Sequence, residues 1–297
     1  MKDNDHEKTF TGGARLTLDW PVSAKLSGRS VPLVLLSDYD HEQYQDVEGE
    51  GPAFEMARSR NTSAMSLGFT VAETSPRFPI LDETWSPSSP HEAPPCEGAL
   101  GIYNTGTRAR LYWTCRDCGS PFQITFDRLE WPKEGTPAER ASETYCSCLH
   151  CGSVIEARHK AEFNRAAQWL HEAPDGTPVP IEDGPRDTPT LSYWLHGPAA
   201  ALASWERIVT RYLSAMEVFD RTGNEKSLQG VTNLDLGLPY RPRGMSNSAK
   251  ITEQTLRDNA TDHEWQVAPL GTSFILVSVD VQNGRFVVQV HAHLSNG

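Results

Sequence analysis

The sequence predicts an α/β fold with a partial parallel sheet first, then a cysteine-rich module, a helical linker region and the first hairpin of a second α/β domain. Three features of the 297 residues support this prediction. An apolar run at 31–36 ends in acidic residues, two CxxC pairs occupy the middle of the chain, and two β-branched runs near its end flank an Asn-Gly pair. Together they predict two sheets separated by a small metal-binding module.

The overall charge and hydropathy exclude several classes of protein. A net charge of −12 argues against a non-specific nucleic-acid coat, which is normally basic, although it leaves room for local basic patches. No run approaches the roughly 20 apolar residues that a membrane span needs. The start, Met1–Lys8, lacks the apolar core of a secretory signal. We therefore expect a soluble protein of the host-cell cytoplasm with no membrane span, in which the two CxxC pairs are metal ligands rather than disulfides.

The apolar run at 31–36 predicts a strand buried on both faces, as in a parallel sheet. Helix formers at 51–65 predict a helix, and 68–72 predicts a second short strand. Asp38 and Asp40 follow the first strand, at the carboxyl end where open α/β sheets place their ligands. They can hold Mg²⁺ as the Walker B element of an ATPase, or they are ordinary strand-end residues. No GxxxxGK[ST] phosphate loop occurs anywhere in the chain.

Two cysteine pairs, Cys115-x-x-Cys118 and Cys148-x-x-Cys151, predict a zinc site. Each pair is followed by glycine, which lets a knuckle turn present two thiolates to one tetrahedral ion. A closed site of four sulfurs leaves no position for water, so the predicted role of the metal is structural. Metal binding also supplies folding free energy, roughly 10–16 kcal/mol, to a small module rich in loops.

Alternatives to this ligand set remain open. The four cysteines can be unrelated free thiols, or Cys146 or His150 can replace Cys148 as a ligand. Near the first pair, arginines alternate with aromatic residues in a pattern that fits either a buried strand or a patch for a phosphate backbone. The residues of this possible patch are Arg108, Arg110, Arg116, Tyr103, Tyr112 and Trp113.

Around the cysteines, the alternation at 103–113 predicts a strand or hairpin, and the spacing at 160–170 predicts a helix. A linker rich in Pro, Gly and Asp follows at 174–189. Apolar residues at helical spacing predict an amphipathic helix at about 204–221, with Ser204 as its N-cap.

The final hairpin is predicted by two β-branched runs joined at Asn283-Gly284, a strong type I′ turn signal. Asp280 lies inside the first run, where a carboxylate is costly unless it is paired or binds a metal. The alternative places Asp280 at a solvent-facing position. One carboxylate cannot by itself form a two-metal nuclease site.

In their order, these features resemble the large terminase subunit of tailed phages, in its lambda GpA-type branch. The resemblance covers nearly the whole chain. It rests on Leu36-Ser37-Asp38-Tyr39-Asp40, Glu48-Gly49-Glu50-Gly51, Ala57-Arg58-Ser59-Arg60, Ala72-Glu73-Thr74-Ser75-Pro76, the two CxxC pairs, Gly237-Leu238-Pro239-Tyr240 and Val279-Asp280-Val281-Gln282.

In that family an N-terminal P-loop ATPase pulls double-stranded DNA into a procapsid, and a C-terminal RNase H-like nuclease cuts the concatemer. The resemblance implies that Asp38 (or Asp40) occupies the Walker B position and that Asp280 is the first metal-binding aspartate of the nuclease. It implies that Thr74-Ser75-Pro76 is the motif coupling hydrolysis to translocation. It also implies Mg²⁺ and ATP as cofactors, and the small terminase subunit and the portal as partners.

One departure concerns the Walker B strand, where the family has Asp-Glu and this chain reads Ser37-Asp38-Tyr39-Asp40, which leaves the water-activating carboxylate open. The predicted domains are the C-terminal half of the ATPase without Walker A, the zinc ribbon, a linker and helical region, and the truncated start of the nuclease, at 1–95, 96–172, 173–270 and 271–297. We expect an internal fragment without ATPase or nuclease activity of its own. The alternatives are a non-catalytic zinc-ribbon module that binds protein or DNA, and an inactive prophage remnant.

Overall fold

The computed structural model describes residues 6–28, 30–82, 84–242, 267–282 and 285–294. The chain divides into two compact units, Met1–Ser246 and Asn247–Gly297. Both helices and strands are present, and the first unit contains a parallel strand pair, in agreement with the α/β prediction.

The N-terminal part of the first unit consists of short elements around one parallel strand pair. Their bounds are β1 Glu7–Thr9, β2 Arg15–Thr17, α1 Ser23–Ser27, β3 Leu33–Ser37, α2 Glu42–Gln45, α3 Ala53–Asn61 and β4 Phe69–Glu73. β1 and β2 pair antiparallel, whereas β3 and β4 pair parallel with Leu33 opposite Phe69 and Ser37 opposite Glu73. Because the pairing is in register, both strands end at the same edge of the sheet.

β3 is not buried on both faces, contrary to the prediction. Leu36 is buried against α3, but Leu33, Leu35 and Phe69 are each more than half exposed. The described residues give this sheet only two strands, and α3 covers only one of its faces. The opposite face therefore exposes an apolar surface.

The middle of the first unit holds the cysteine module. Its elements are α4 Ala99–Thr105, β5 Ala109–Thr114, β6 Pro121–Gln123, β7 Leu129–Glu130, α5 Pro137–Ser142, β8 Tyr145–Ser147, β9 Val154–Glu156, α6 Lys160–Ala166, β10 Gln168–Glu172, β11 Pro178–Val179 and β12 Tyr193–Trp194. β5 is central, with β10 antiparallel on one side and β12 (parallel) and β6 (antiparallel) on the other. β7, β8 and β9 form a separate antiparallel sheet.

Two predicted elements of the module have different bounds in the structure. The segment 103–113 is not one strand or hairpin, because its start belongs to α4, which ends at Thr105, and β5 begins at Ala109. The helix predicted at 160–170 ends at Ala166, since Leu170 lies in β10 opposite Arg110. β5 begins at Ala109, where its pairing with β12 begins, and pairing with β5 makes 168–170 a strand.

The amphipathic helix predicted at 204–221 is confirmed as α7, Trp205–Thr222. The Ser204 hydroxyl accepts a hydrogen bond from the Arg207 N–H at 3.1 Å, as an N-cap does. Gly223 ends the helix in the left-handed conformation (φ 69°), and the chain then forms α8, Lys226–Gly230, and a π-helical turn, Val231–Asp235.

Two hydrophobic cores share α7. The central core joins both cysteine pairs to one face of the helix and contains Trp113, Cys115, Phe122, Ile124, Leu129, Ala141, Cys146, Cys148, Ile155, Phe163, Ala199, Trp205, Val209 and Leu213. The α7–α8 core lies on another face and contains Ile208, Ala215, Leu228, Val231 and Leu236.

The second unit contains β13 Thr272–Gln282 and β14 Arg285–Leu294, which pair antiparallel with Asp280 opposite Val287. The Asn283-Gly284 turn lies outside the described residues. The helices of the described residues include none with the length and hydropathy of a membrane span.

A buried lysine in the first unit gives the stability a pH dependence. Nζ of Lys160 donates to the carbonyl oxygens of Ala200 (2.7 Å) and Ala203, and burial lowers the pKa of Lys160 from 10.5 to about 8. Between these values the unfolded chain holds a proton that the folded chain has lost. Since the unfolded state then binds more protons, the free energy of unfolding rises with pH in that window.

We expect the free energy of unfolding of the wild type, relative to that of a Lys160→Met variant, to rise by about 3 kcal/mol between about pH 8 and 10.5. Below pH 8 the difference between the two proteins should not change with pH. Urea unfolding at each pH measures the two free energies. Lys133→Met is the control because Lys133 is exposed. A difference between wild type and Lys160→Met that does not change with pH would contradict the titration of a buried ammonium group.

Candidate functional site

The first cysteine pair lies in the turn between β5 and β6. Cys115 follows β5 directly, and its N–H donates to the Ser120 carbonyl at 3.0 Å. The Gly119 N–H donates back to the Cys115 carbonyl at 2.9 Å, and Gly119 has a φ of 72°, a conformation that suits glycine. These bonds close a tight knuckle that turns Cys115 and Cys118 toward the same point.

The second pair repeats this geometry between β8 and β9. The Cys148 N–H donates to the Ser153 carbonyl at 2.9 Å, and the Gly152 N–H donates to the Cys148 carbonyl at 3.0 Å. Gly152 also has a φ of 72°. Both knuckles have the sequence pattern CxxCGS, so the same residue types form the same turn twice.

The two knuckles bring four sulfurs together. The Sγ atoms of Cys115, Cys118, Cys148 and Cys151 all lie within 4.8 Å of one another, and no disulfide joins them. Cys115 and Cys151 are 3.7 Å apart, and Cys118 and Cys148 are 3.9 Å apart. Sulfurs about 2.3 Å from a tetrahedral zinc ion would be about 3.8 Å apart, so the cluster has the size of a four-cysteine metal site.

Neighbouring residues with metal-binding side chains have other roles. Cys146 is fully buried in the central core, and burial raises the pKa of its thiol to about 12. The Nε2 atom of His150 is 2.9 Å from the Pro121 carbonyl oxygen. The backbone N–H and then the hydroxyl of Ser120 lower the pKa of Cys118 to about 6, which favours its thiolate.

The residues of the possible basic aromatic patch do not form one exposed surface, contrary to one of the two interpretations of the sequence, because only Arg116 among them is exposed, and it pairs with Glu162. Tyr103, Tyr112 and Trp113 are buried. Arg110 is also buried, with its guanidinium 4.1 Å from the ring centroid of Trp194. The alternation of 103–113 belongs to the core, as aromatic residues in a central strand usually do.

A cavity of about 430 Å³ lies at the carboxyl ends of β3 and β4, and we call it the strand-end cavity. It brings together residues that the sequence analysis singled out in two separate motifs, namely Asp38, Asp40, Thr74, Ser75 and Pro76. The two motifs also touch directly, since the Asp40 N–H donates to the Thr74 hydroxyl at 3.3 Å.

Asp40 is buried and already has partners for both carboxylate oxygens. One oxygen accepts from the Arg77 N–H at 2.9 Å, and the other accepts from the Ala99 N–H at 2.8 Å, at the start of α4. Burial raises the pKa of the Asp40 carboxyl, and these backbone donors oppose that rise. Gly98 must be glycine for this contact, because a Cβ there would meet the Asp40 carboxylate at 2.3 Å and its φ is +71°.

Asp38 differs from Asp40 in exposure and conformation. Its side chain is exposed on the cavity wall, and its φ is +52°, a left-handed conformation uncommon for residues other than glycine. Strained backbone of this kind concentrates at functional sites. Asp38 is therefore the carboxylate of the pair that remains accessible to a ligand in the cavity.

The far wall of the cavity comes from residues that the sequence analysis did not select. They lie on α8 and the π-helical turn and are Lys226, Gln229, Gly230, Asn233 and Leu234. The sequence gives no motif for them. The only local signal is Gly223 and Asn224, which mark the end of α7 and a change of chain direction.

Asp280, the remaining predicted site residue, lies in the second unit. It is on β13 and is exposed, so the cost of a buried carboxylate does not arise. The structure describes its strand pairing and assigns it to no cluster of possible metal ligands among the described residues.

Two family models match the chain. The model of the phage terminase large subunit gpA ATPase domain matches residues 1–169, and the model of the terminase large subunit gpA endonuclease domain matches residues 190–297. No curated protein and no solved structure matches. The strand-end motifs and both cysteine pairs fall in the first match, whereas α7, α8 and the final hairpin fall in the second.

Proposed function

The chain belongs to the gpA family of phage terminase large subunits, the ATPases and endonucleases of DNA packaging, and from that premise we propose that its strand-end cavity binds magnesium and the phosphates of ATP. The observation that supports this proposal is the meeting of Asp38 with Thr74-Ser75-Pro76 at one cavity wall. A metal-binding carboxylate beside the motif that links hydrolysis to translocation is the arrangement expected of a motor ATPase.

Asp38 and Asp40 have different roles in this proposal. Asp38 offers its carboxylate to Mg²⁺, which prefers one or two carboxylates together with phosphate oxygens and water. Asp40 holds the cavity in shape, since its oxygens connect the backbone of Arg77 to the start of α4 at Ala99. The Thr74 hydroxyl is connected to this arrangement because it accepts a hydrogen bond from the Asp40 N–H.

We further propose that the four clustered cysteines hold zinc in a structural role. The donor set fits, because four thiolates at this spacing complete a tetrahedron and leave no open position for a substrate. The metal would link the β5–β6 turn to the β8–β9 turn beside the central core, because each turn supplies two of its ligands.

The remaining roles follow from the family. Asp280 is proposed as the first metal-binding aspartate of the nuclease, and double-stranded DNA, the small terminase subunit and the portal as partners. Because the 297 residues contain no GxxxxGK[ST] loop, we propose that this chain alone does not hydrolyse ATP. Phosphate release above background, sensitive to Asp38→Asn, would contradict that proposal.

The assignment of Asp38 can be tested by Mn²⁺ binding, followed through the electron paramagnetic resonance signal of the free ion. We expect the wild type to bind Mn²⁺ and Asp38→Asn to bind it at least about tenfold more weakly, because one charged ligand is lost. Asp183→Asn, which removes an exposed carboxylate elsewhere, is the matched control. Equal affinities for wild type and Asp38→Asn would exclude Asp38 as the metal ligand.

A further inference from the structure

The four sulfurs of the cysteine cluster differ in their exposure to solvent. Cys115 and Cys148, the first cysteine of each knuckle, are 2% and 3% exposed and belong to the central core. Cys118 and Cys151, the second cysteine of each knuckle, are exposed, whereas the two cysteines outside the cluster are buried. A small reagent in solution therefore reaches two of the chain's cysteines, and both belong to the cluster.

The chain beside the two exposed cysteines is open to solvent. Gly119 and Gly152 follow them and are themselves exposed. A Cβ atom built at either glycine has no heavy atom of the described residues within 4 Å, apart from those of its chain neighbours. The two buried cysteines instead follow β5 and β8 directly and pack in the core. The exposed sulfurs can therefore shift without displacing packed side chains, while the buried sulfurs cannot.

Two contacts that involve no sulfur hold the knuckles side by side. The Ser153 hydroxyl in the second knuckle donates to the Asp117 carboxylate in the first. The Nε2 atom of His150, also in the second knuckle, lies 2.9 Å from the carbonyl oxygen of Pro121, which follows the first. All four sulfurs lie within 4.8 Å of one another, so the exposed pair needs to approach by less than about 3 Å to reach the disulfide bond length of about 2.05 Å.

We propose that Cys118 and Cys151 are a site of oxidation, at which hydrogen peroxide joins the two knuckles by a disulfide and releases the zinc. This inference rests on the proposed structural zinc. It goes further because it makes the cysteine cluster a redox-sensitive switch. The reduced form holds four sulfurs on one metal ion, whereas the oxidised form has a covalent bond between the knuckles and two free thiols in the core.

The reaction balances with peroxide as its oxidant. One zinc-bound thiolate attacks a peroxide oxygen, which breaks the O–O bond and gives a sulfenic acid and hydroxide. The second thiolate attacks the sulfenic sulfur, forms the S–S bond and expels another hydroxide, and two protons from solvent convert both hydroxides to water. The two sulfurs lose two electrons and peroxide gains them, so zinc leaves as Zn²⁺ with its oxidation state unchanged.

Peroxide treatment of the reduced, zinc-loaded full chain tests this site. A chromogenic chelator should record the release of about one zinc per chain. Peptide mapping after alkylation in denaturant should find a disulfide between Cys118 and Cys151, with Cys115 and Cys148 alkylated. Dithiothreitol with added zinc should then restore the bound metal. Zinc that stays bound, or a disulfide that lies within one knuckle, includes a buried cysteine or joins two chains, would overturn the inference.

A double variant, Cys118→His with Cys151→His, removes both exposed sulfurs and keeps four possible ligands, because two cysteines and two histidines also bind tetrahedral zinc. We expect peroxide to release its zinc at least about tenfold more slowly than that of the wild type, since both remaining sulfurs are buried. Cys96→Ala, which removes a buried thiol outside the cluster, should release zinc as fast as the wild type. Equal rates for the double variant and the wild type would exclude the exposed pair as the site. If the double variant binds no zinc, the mapping of the wild type decides alone.

The outcomes distinguish this inference from the proposed structural zinc. Reduced wild type that contains no zinc would overturn both together. Zinc-bound wild type that resists peroxide, or that forms a different disulfide, would overturn the inference alone and leave the structural zinc standing.

Discussion

Substitution of Cys115 by serine is expected to strip the protein of zinc and to unfold the central core around the cysteines. Metal binding at a four-cysteine site contributes on the order of 10 kcal/mol to folding. Cys115 and Cys148 are themselves buried in that core, beside Trp113 and Phe122. Loss of the proposed zinc would therefore remove the link between the β5–β6 and β8–β9 turns, which lie beside these buried residues.

Elemental analysis of the purified protein should give about one zinc per chain for the wild type and none for Cys115→Ser. Near-ultraviolet circular dichroism, which reports the packing of aromatic side chains such as Trp113 and Trp205, should lose intensity in the variant. Cys146→Ala is the matched control, because Cys146 is buried in the same core but lies outside the cluster of four sulfurs. It should keep its zinc and lose only about 1 kcal/mol. Freshly reduced wild type without zinc would exclude the metal site.

Replacement of Glu172 by glutamine is expected to cost about 3–5 kcal/mol of unfolding free energy. The Glu172 side chain is 6% exposed, and its Oε2 atom lies 3.1 Å from a guanidinium nitrogen of Arg108 and 3.1 Å from one of Arg186. Its other oxygen accepts from the Ser89 hydroxyl. The variant would leave two arginines without the charge that compensates their partial burial.

Urea unfolding of Glu172→Gln and of Glu156→Gln measures this cost against a matched control. Glu156 pairs with Arg158 at 3.0 Å, but both side chains are more than half exposed, so its loss should change stability by no more than about 1 kcal/mol. A cost for Glu172→Gln as small as that of the control would mean that the buried pair contributes no more than an exposed one.

Local sequence patterns predicted those elements whose signals lie within the element itself. The apolar run ending at Leu36 became β3, Ser204 caps α7, and the paired CxxCGS segments form matching knuckles. A strand, a cap and a knuckle each depend on a few adjacent residues and on hydrogen bonds between them. Such features can be predicted from the sequence without knowing which residues pack against them.

Features that depend on distant residues could not be predicted in the same way. The burial of Leu33 and Leu35 depends on what covers the second face of the sheet, which the apolar run does not specify. Leu170 became a strand residue because β10 pairs with β5, and this pairing outweighs a helical spacing. Lys226 and Asn233 carry no motif, and only the turn after α7 brings them to Asp38.

One helix joining two cores has a consequence for how the first unit loses its order. α7 buries Trp205, Val209 and Leu213 in the central core and Ile208 and Ala215 in the α7–α8 core. Fraying of this helix would expose apolar surface on both sides at once, so neither core can melt as an independent subdomain. We therefore expect the knuckles and the far wall of the cavity to lose their structure together, as one cooperative unit.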